Sequence, residues 1–304
     1  MRAINQSNGN DWHLYNGDCC EVVSQLPENS VDFSVFSPPF SSLYVYSDSE
    51  RDMGNSDDDD QFFEHFGFLI NELLRVVKPG RLVSVHCMNL PSTITHNGYI
   101  GIRDFRGDII RKFVECGFYY HSEVCIWKCP VVAMQRTKAI GLLHKQLVKD
   151  SAMSRQGIPD YVCTFRVPGK NESPVAGELD HWAGDDSFVS EGNLSIDLWQ
   201  KYASPVWDDI NQSNTLNGRQ ARESNDERHI CPLQLDVIER CLQLWSNPGD
   251  VVLSPFAGIG SEGYQSLLSK RKFVGVELKT SYFDQAKTFL AEAEQESAAA
   301  SLFD

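Results

Sequence analysis

Two short stretches of the 304-residue sequence hold residue types and spacings that could do chemistry. The first is Ser37-Pro38-Pro39-Phe40, which directly follows the apolar run VDFSVF. A strand cannot continue through two prolines, because neither has an N–H for the ladder. The strand therefore stops and delivers a hydroxyl, two rigid residues and an aromatic ring to its end. The second stretch is Phe256-Ala257-Gly258-Ile259-Gly260-Ser261-Glu262-Gly263, set between an apolar run and a helical pattern. Glycines there let the backbone approach a ligand, and Glu277, closing the next apolar run, can accept two ribose hydroxyls. That is the chemistry of a nucleotide-type cofactor site, with a plain tight turn as the structural alternative. The count G-x-G-x-x-G also fits a dinucleotide and thus a nicotinamide oxidoreductase. Two features oppose that reading. About one helix follows Glu277, too little for the rest of a dinucleotide sheet. Phe256 also gives the form F-x-G-x-G, in which S-adenosylmethionine, lacking a pyrophosphate, is usually held.

The elements that must position these residues alternate between strand and helix. Residues 12–15 predict a short strand, followed by Asn16-Gly17-Asp18 and a helical turn. Residues 61–77 have apolar side chains at 62, 63, 66, 69, 70, 73, 74 and 77, the spacing of an amphipathic helix. Lys78-Pro79-Gly80 stops it, and strands are expected at 81–87 and 119–127 around a helix at 106–116. After residue 231 the pattern resumes with a helix over 232–245, a strand into the glycine turn, a helix, a strand ending at Glu277 and a final helix. This alternation predicts an α/β fold with a doubly wound, mostly parallel, Rossmann-like sheet. Residues 135–225 break the pattern and are rich in Gly, Ser, Asn and Pro. They predict a loop-rich insertion in a domain made of 1–134 and 226–304. The insertion keeps Tyr161, Phe165, Trp182, Trp199, Tyr202 and Trp207, too many aromatics for a linker.

The net charge of −15 argues against a protein that coats nucleic acid indiscriminately. One basic island stands out: residues 135–170 carry seven Lys and Arg against two Asp and Glu. Nine cysteines, an odd number, without an apolar leader read as reduced thiols in the cytoplasm. Cys125 and Cys129 have no second pair to complete a metal set, so they read as buried thiols and no metal is expected. No run of about 18 apolar residues predicts a membrane span.

The Ser-Pro-Pro-Phe tetrapeptide followed much later by the F-A-G-I-G turn resembles the DNA amino-methyltransferases, which methylate N4 of cytosine or N6 of adenine. The permuted order resembles that family's beta group: catalytic motif, target-recognition insertion, cofactor motif. The resemblance covers about 1–134 and 226–304. It implies S-adenosyl-L-methionine as cofactor, held by Asp18, His229, Pro232, Phe256, Gly258, Gly260 and Glu277. His229, Pro232 and Gln234 match the family's helix start only loosely, and an ordinary helix N-terminus is the other reading for them. The catalytic set implied is Ser37, Pro38, Pro39 and Phe40. Ser37 and the Pro38 carbonyl accept the two amino N–H bonds, and Phe40 stacks on a flipped base. Residues 120–130 resemble the strand beside the target base. The polar loop over 41–60, with Tyr44, Tyr46, Arg51 and Asp57 to Asp60, is expected to close over it. Arg136, Lys138, Lys145, Lys149 and Arg155, with Arg166 and Lys170, are expected to meet DNA phosphates. Ser in the first position leans toward cytosine. C5 methylation is disfavoured because neither Cys129 nor Cys231 lies in a matching context. RNA and protein amide methyltransferases typically place the cofactor turn first. The implied partners are double-stranded DNA and, functionally, a cognate restriction endonuclease, for a monomer or homodimer.

Overall fold

The computed structural model of the chain describes residues 3–40, 53–56, 58–132, 144–176, 179–180, 194–216 and 232–300. The run before the two prolines is strand β3 (Val31–Phe36), buried at all six positions, as a strand covered on both faces must be. It lies at the middle of a nine-stranded sheet. The order across that sheet is β1 (Asn5–Asn8), β2 (Trp12–Asn16), β13 (Lys272–Glu277), β12 (Val251–Ser254), β3, β4 (Val77–Met88), β8 (Asp160–Arg166), β7 (Tyr119–Ile126) and β11 (Val206–Trp207). Every pairing is parallel except β1 on β2 and β8 on both its neighbours. Two small strand pairs lie outside it, β5 (Leu90–Ser92) with β6 (Gly101–Arg103) and β9 (Leu179–Asp180) with β10 (Leu194–Ser195). The expected doubly wound, mostly parallel sheet is present.

Helices cover both faces. On one, α1 (Cys19–Val23), α2 (Asp59–Val76) and α4 (Phe105–Glu115) bury Val22, Phe62, Phe66, Leu69, Ile70, Leu73, Ile109 and Phe113 against β3 and β4; a short α3 (Ile94–Asn97) joins β5 to β6. On the other, α7 (Leu235–Trp245), α8 (Ser261–Leu268) and α9 (Thr280–Ala300) contribute Val237, Ile238, Cys241, Leu267, Phe283, Ala286 and Leu290. The crossover β12–α8–β13 runs one way from the centre and β3–α2–β4 the other. The order therefore reverses between β12 and β3, the point at which open α/β sheets form a ligand crevice at the strands' carboxyl ends.

The opposite, amino-terminal edge of these strands is tied by charge. The Asp32 carboxylate accepts the Val251 N–H at 3.0 Å and pairs with Lys78 at 2.6 Å. Buried Arg81 pairs with Asp250 and donates to the Asp32 carbonyl at 2.8 Å. One network joins β3, β4 and the turn into β12, and each buried charge has a partner, as burial demands.

Three sequence expectations change. Residues 58–60 begin α2, with the Asp58 side chain capping Gln61 N at 2.9 Å. The acidic run thus suits a helix N-terminus, where carboxylates meet the dipole, better than a loop. Lys78-Pro79-Gly80 opens β4, with Gly80 at φ +75° making the sharp entry. The insertion over 135–225 supplies two strands of the central sheet, β8 and β11. Phe165 and Trp207 are core residues there, and Tyr202, on α6 (Ile196–Tyr202), is buried. DYVCTFR was hidden among Gly and Pro, and only pairing with β4 and β7 makes it a strand. Tyr44, Tyr46, Arg51, Asp57 and Trp182 lie outside the described residues.

Candidate active site

The glycine turn is built at the end of β12. Ala257 N–H donates to Val276 O at 2.8 Å and Gly260 N–H to Ala257 O at 2.7 Å, closing the turn beside β13. Gly258 has φ +54° with no atom within 4 Å of where a Cβ would stand, so its backbone faces open space. Gly260, at φ +94°, caps α8 and would press a Cβ against Ala286 at 3.2 Å. Glu277 ends β13 and engages both carboxylate oxygens, one on the glycine turn and one on the backbone just beyond its own strand. Oε2 accepts Gly258 N–H and Oε1 accepts Lys279 N–H, each at 2.8 Å. Asn16, which ends β2, pairs with Glu277, so Gly17-Asp18 follows at the same edge. Asp18 caps α1, its Oδ1 accepting Glu21 N–H at 2.9 Å.

Unsatisfied polar groups at this edge fit S-adenosyl-L-methionine. Ser254 Oγ, ending β12, and Gln234 Oε1, at the start of α7, are buried and lack partners among the described residues. The start of α7 lies at the carboxyl edge, because that helix runs back down to β12. Two orphaned polar atoms at this edge suit the polar amino-acid end of the ligand, and Glu277 suits its ribose. Pro232 precedes α7 and is half-buried, and His229 lies outside the described residues.

Glu262, in the first turn of α8, is also buried; burial pushes its carboxyl up to about 8, the Glu277 charge adding to this and its own N–H opposing it. An unfolded Glu titrates near 4.5, so from about 4.5 to about 8 the folded chain keeps a proton that the unfolded chain has lost. Stability contributed by this group therefore falls as pH rises through that window and then levels off. In Glu262→Gln the decline in Tm from about pH 5 to about pH 8 should be smaller by several degrees than in the parent protein. Thermal melts of both chains across that range check this, and parallel curves would count against it.

The Ser37-Pro38-Pro39-Phe40 tetrapeptide lies one strand away. β12 pairs with β3 at Leu253↔Ser34, and the Ser34 hydroxyl donates to Leu253 O at 2.8 Å. The two motifs therefore meet side by side, and the Phe36 and Phe256 rings touch at 5.7 Å between centroids. Phe256 packs between the strand mount and α2, where it also meets Phe66 at 6.5 Å. Pro38 is buried, while Ser37, Pro39 and Phe40 are half-buried. Phe40 meets Phe105 edge-on at 6.2 Å, which holds its ring while leaving part of it accessible.

Sequence reasoning missed the residues behind Ser37. Phe36 pairs with Val85, so Ser37 sits next to His86, and its Oγ lies 3.2 Å from His86 Nδ1. His86 pairs with Val162 and Met88 with Asp160, which makes Asp160 a diagonal neighbour of His86. His86 Nε2 is 3.1 Å from Asp160 Oδ2, and Lys128, two residues past the end of β7, pairs with the same oxygen. Four neighbouring strand ends thus supply one chain: Ser37, His86, Asp160, Lys128. Asp160 is buried. Burial alone would raise its pKa, but His86 and Lys128 beside it outweigh burial and hold the carboxyl below its usual value. The only sequence signal was a lone imidazole near the carboxyl end of an apolar strand.

The basic island divides. Because β8 is antiparallel, Asp160 lies at the site edge opposite Met88, and Arg166 lies at the far edge opposite Leu82. Arg166 bonds to Gly80 O and Gly169 O, and Lys170 pairs with Glu172. These two are carried roughly 20 Å from the site by the length of a seven-residue strand, contrary to expectation. Lys145 and Lys149 are exposed on α5 (His144–Lys149), and half-buried Arg155 precedes β8 on the site side. Arg136 and Lys138 lie outside the described residues. No helix among the described residues is long and apolar enough to cross a membrane.

The family model described as DNA methylase, of N6/N4 type, matches residues 31–288. The type II methyltransferase M.BglII of Bacillus subtilis is 25% identical over 283 residues, 91% of this chain and 68% of that protein. M.BamHI of Bacillus amyloliquefaciens is 26% identical over 270 residues, 87% of this chain and 54% of its own length. The chain thus spans just over two thirds of the first of these relatives and about half of the second. Among solved structures, a Thermus thermophilus protein described as a putative DNA modification methylase, in complex with S-adenosyl-L-methionine, superposes with TM-score 0.65 at 22% identity, covering 92% of this chain and 95% of that one.

Proposed function

The chain belongs to the DNA methylase family of the N6-adenine/N4-cytosine type, and on that premise we propose that it transfers a methyl group from S-adenosyl-L-methionine to N4 of a cytosine flipped out of duplex DNA. The observation that carries this reading is Ser37 at the end of β3, with its hydroxyl engaged behind by His86 and the glycine turn beside it.

The bound cofactor supplies a methyl group on a sulfonium, open to in-line attack. Glu277 would take the ribose hydroxyls, Gly258 and Gly260 give close backbone approach, Asp18 stands toward the adenine, and Phe256 walls the site. Pro232, Gln234 and Ser254 would border the methionine end, with His229 as the further candidate there. The acceptor nitrogen is a poor nucleophile because its lone pair is conjugated with the ring. Ser37 Oγ and the Pro38 carbonyl accept its two N–H bonds and draw it toward tetrahedral geometry. Pro38 and Pro39, which have no N–H for the ladder, end the strand, so that carbonyl lies beyond the last β3–β4 pairing. Phe40 offers the flipped base a face that Phe105 holds in place. Positioning and electrostatics supply most of the acceleration.

The parts of 135–225 outside the sheet would read the duplex, with Lys145, Lys149, Arg155, Arg136 and Lys138 neutralising phosphates. A cognate restriction endonuclease would be the functional partner, in a cytoplasmic setting. The test is methylation of mixed duplex DNA with labelled cofactor, digestion to nucleosides and chromatography. Label in N4-methylcytosine is the expected result. Label in N6-methyladenine would move the target to adenine, and label in RNA or none in DNA would overturn the reading.

A further inference from the structure

We infer that Asp160, acting through His86, fixes Ser37 as a hydrogen-bond acceptor toward the amino group, and that His86 receives the proton this group sheds. The inference rests on the amino-methyl transfer proposed above and assigns positioning roles to residues outside both motifs.

A serine hydroxyl both donates and accepts, so the tetrapeptide alone leaves its orientation open. An amino group about to be methylated needs acceptors, and a hydroxyl hydrogen aimed at it would oppose the reaction. The hydroxyl hydrogen must therefore point elsewhere, and His86 Nδ1 is 3.2 Å from the oxygen. Nδ1 accepts only if the ring proton sits on Nε2. Asp160 Oδ2, 3.1 Å from Nε2, is an ionised acceptor and demands a hydrogen there. Lys128 pairs with that same oxygen and keeps the carboxylate ionised although Asp160 is buried. Each link sets the next: Lys128 the charge of Asp160, Asp160 the tautomer of His86, His86 the hydroxyl of Ser37.

The same chain settles the proton balance. As the nitrogen lone pair forms the N–CH₃ bond, the C–S bond breaks and its electron pair stays on sulfur. The nitrogen is left with one proton too many. That proton passes to Ser37 Oγ as the hydroxyl proton moves to His86 Nδ1, and the imidazolium formed is stabilised by Asp160. The imidazolium releases the proton to water after the product leaves, and the resting ring is restored.

The test combines spectroscopy with kinetics. In the free full-length chain, ¹⁵N spectra should show neutral His86 protonated on Nε2 and bare on Nδ1. A ring protonated on Nδ1, or on both nitrogens, overturns the inference. Asp160→Asn should lower the single-turnover rate about 100-fold, with Kd for S-adenosyl-L-methionine and DNA changed less than threefold. Placed in Ser37→Ala, the same substitution should cost less than a further threefold, since it acts only through Ser37. A merely structural role predicts that the two losses multiply, and that outcome sinks the idea. His86→Asn carries the same cycle if Asp160→Asn fails to fold. Failure of the parent chain to methylate any DNA would be a different result: it removes the proposed function, while the tautomer measurement is read without substrate.

Discussion

Ser37→Ala lowers the single-turnover rate of methyl transfer about 1,000-fold, with cofactor and DNA affinity changed less than threefold. The size follows from what the hydroxyl does. It contacts the nitrogen only as that atom pyramidalises, so its loss falls on the transition state and not on binding; removing one such preorganised partner costs about 10²–10³ in rate. Alanine leaves the strand mount intact, since β3 is fixed by pairing with β12 and β4 and by the Asp32–Arg81 network. Rapid-quench measurement with saturating enzyme isolates the step. A variant within threefold of the parent rate would mean that the Pro38 carbonyl suffices and that Ser37 is only the end of a strand.

Glu277→Ala raises the Kd for S-adenosyl-L-methionine at least about 100-fold. Its carboxylate does two jobs. It straps the glycine turn through Gly258 N–H and its own strand's exit through Lys279 N–H, both at 2.8 Å, and it still has lone pairs for ribose hydroxyls. Hydrogen bonds to a charged acceptor contribute about 1.5–3 kcal/mol each, so losing two costs about 3 kcal/mol or more, or roughly 100-fold in affinity. Glu277→Gln, which keeps an acceptor oxygen, should lose about tenfold. Calorimetric titration separates the three chains. Binding within threefold in the alanine variant would exclude Glu277 from the cofactor site.

What could be read from sequence were the features written locally. A buried run ending in two prolines marks β3 whatever lies beside it, and two glycines before a helix mark the cofactor turn. Glu277 follows from the next strand's end. The relay behind Ser37 was not legible, because His86 and Asp160 become neighbours only through strand register. A shift of one residue in β8 would turn Asp160 to the other face. The basic island failed in part for the same reason. Charge counting cannot tell that an antiparallel strand takes Arg166 away from the edge at which Asp160 arrives. The aromatics of 135–225 signalled a folded region, but only pairing shows that Phe165 and Trp207 belong to the sheet.

The contact between Ser34 and Leu253 spans 219 residues of chain. Until β12 is made by the ribosome, β3 presents an unpaired apolar edge where its neighbour should lie, and no floor for the cofactor exists beside Ser37. Closing so long a loop is slow, because its entropy is lost before any contact rewards it. Completion of the crevice beside Ser37 therefore comes late in the folding of each molecule. During synthesis the nascent chain needs its β3 edge shielded, by a chaperone or by speed, or it will pair with a neighbour.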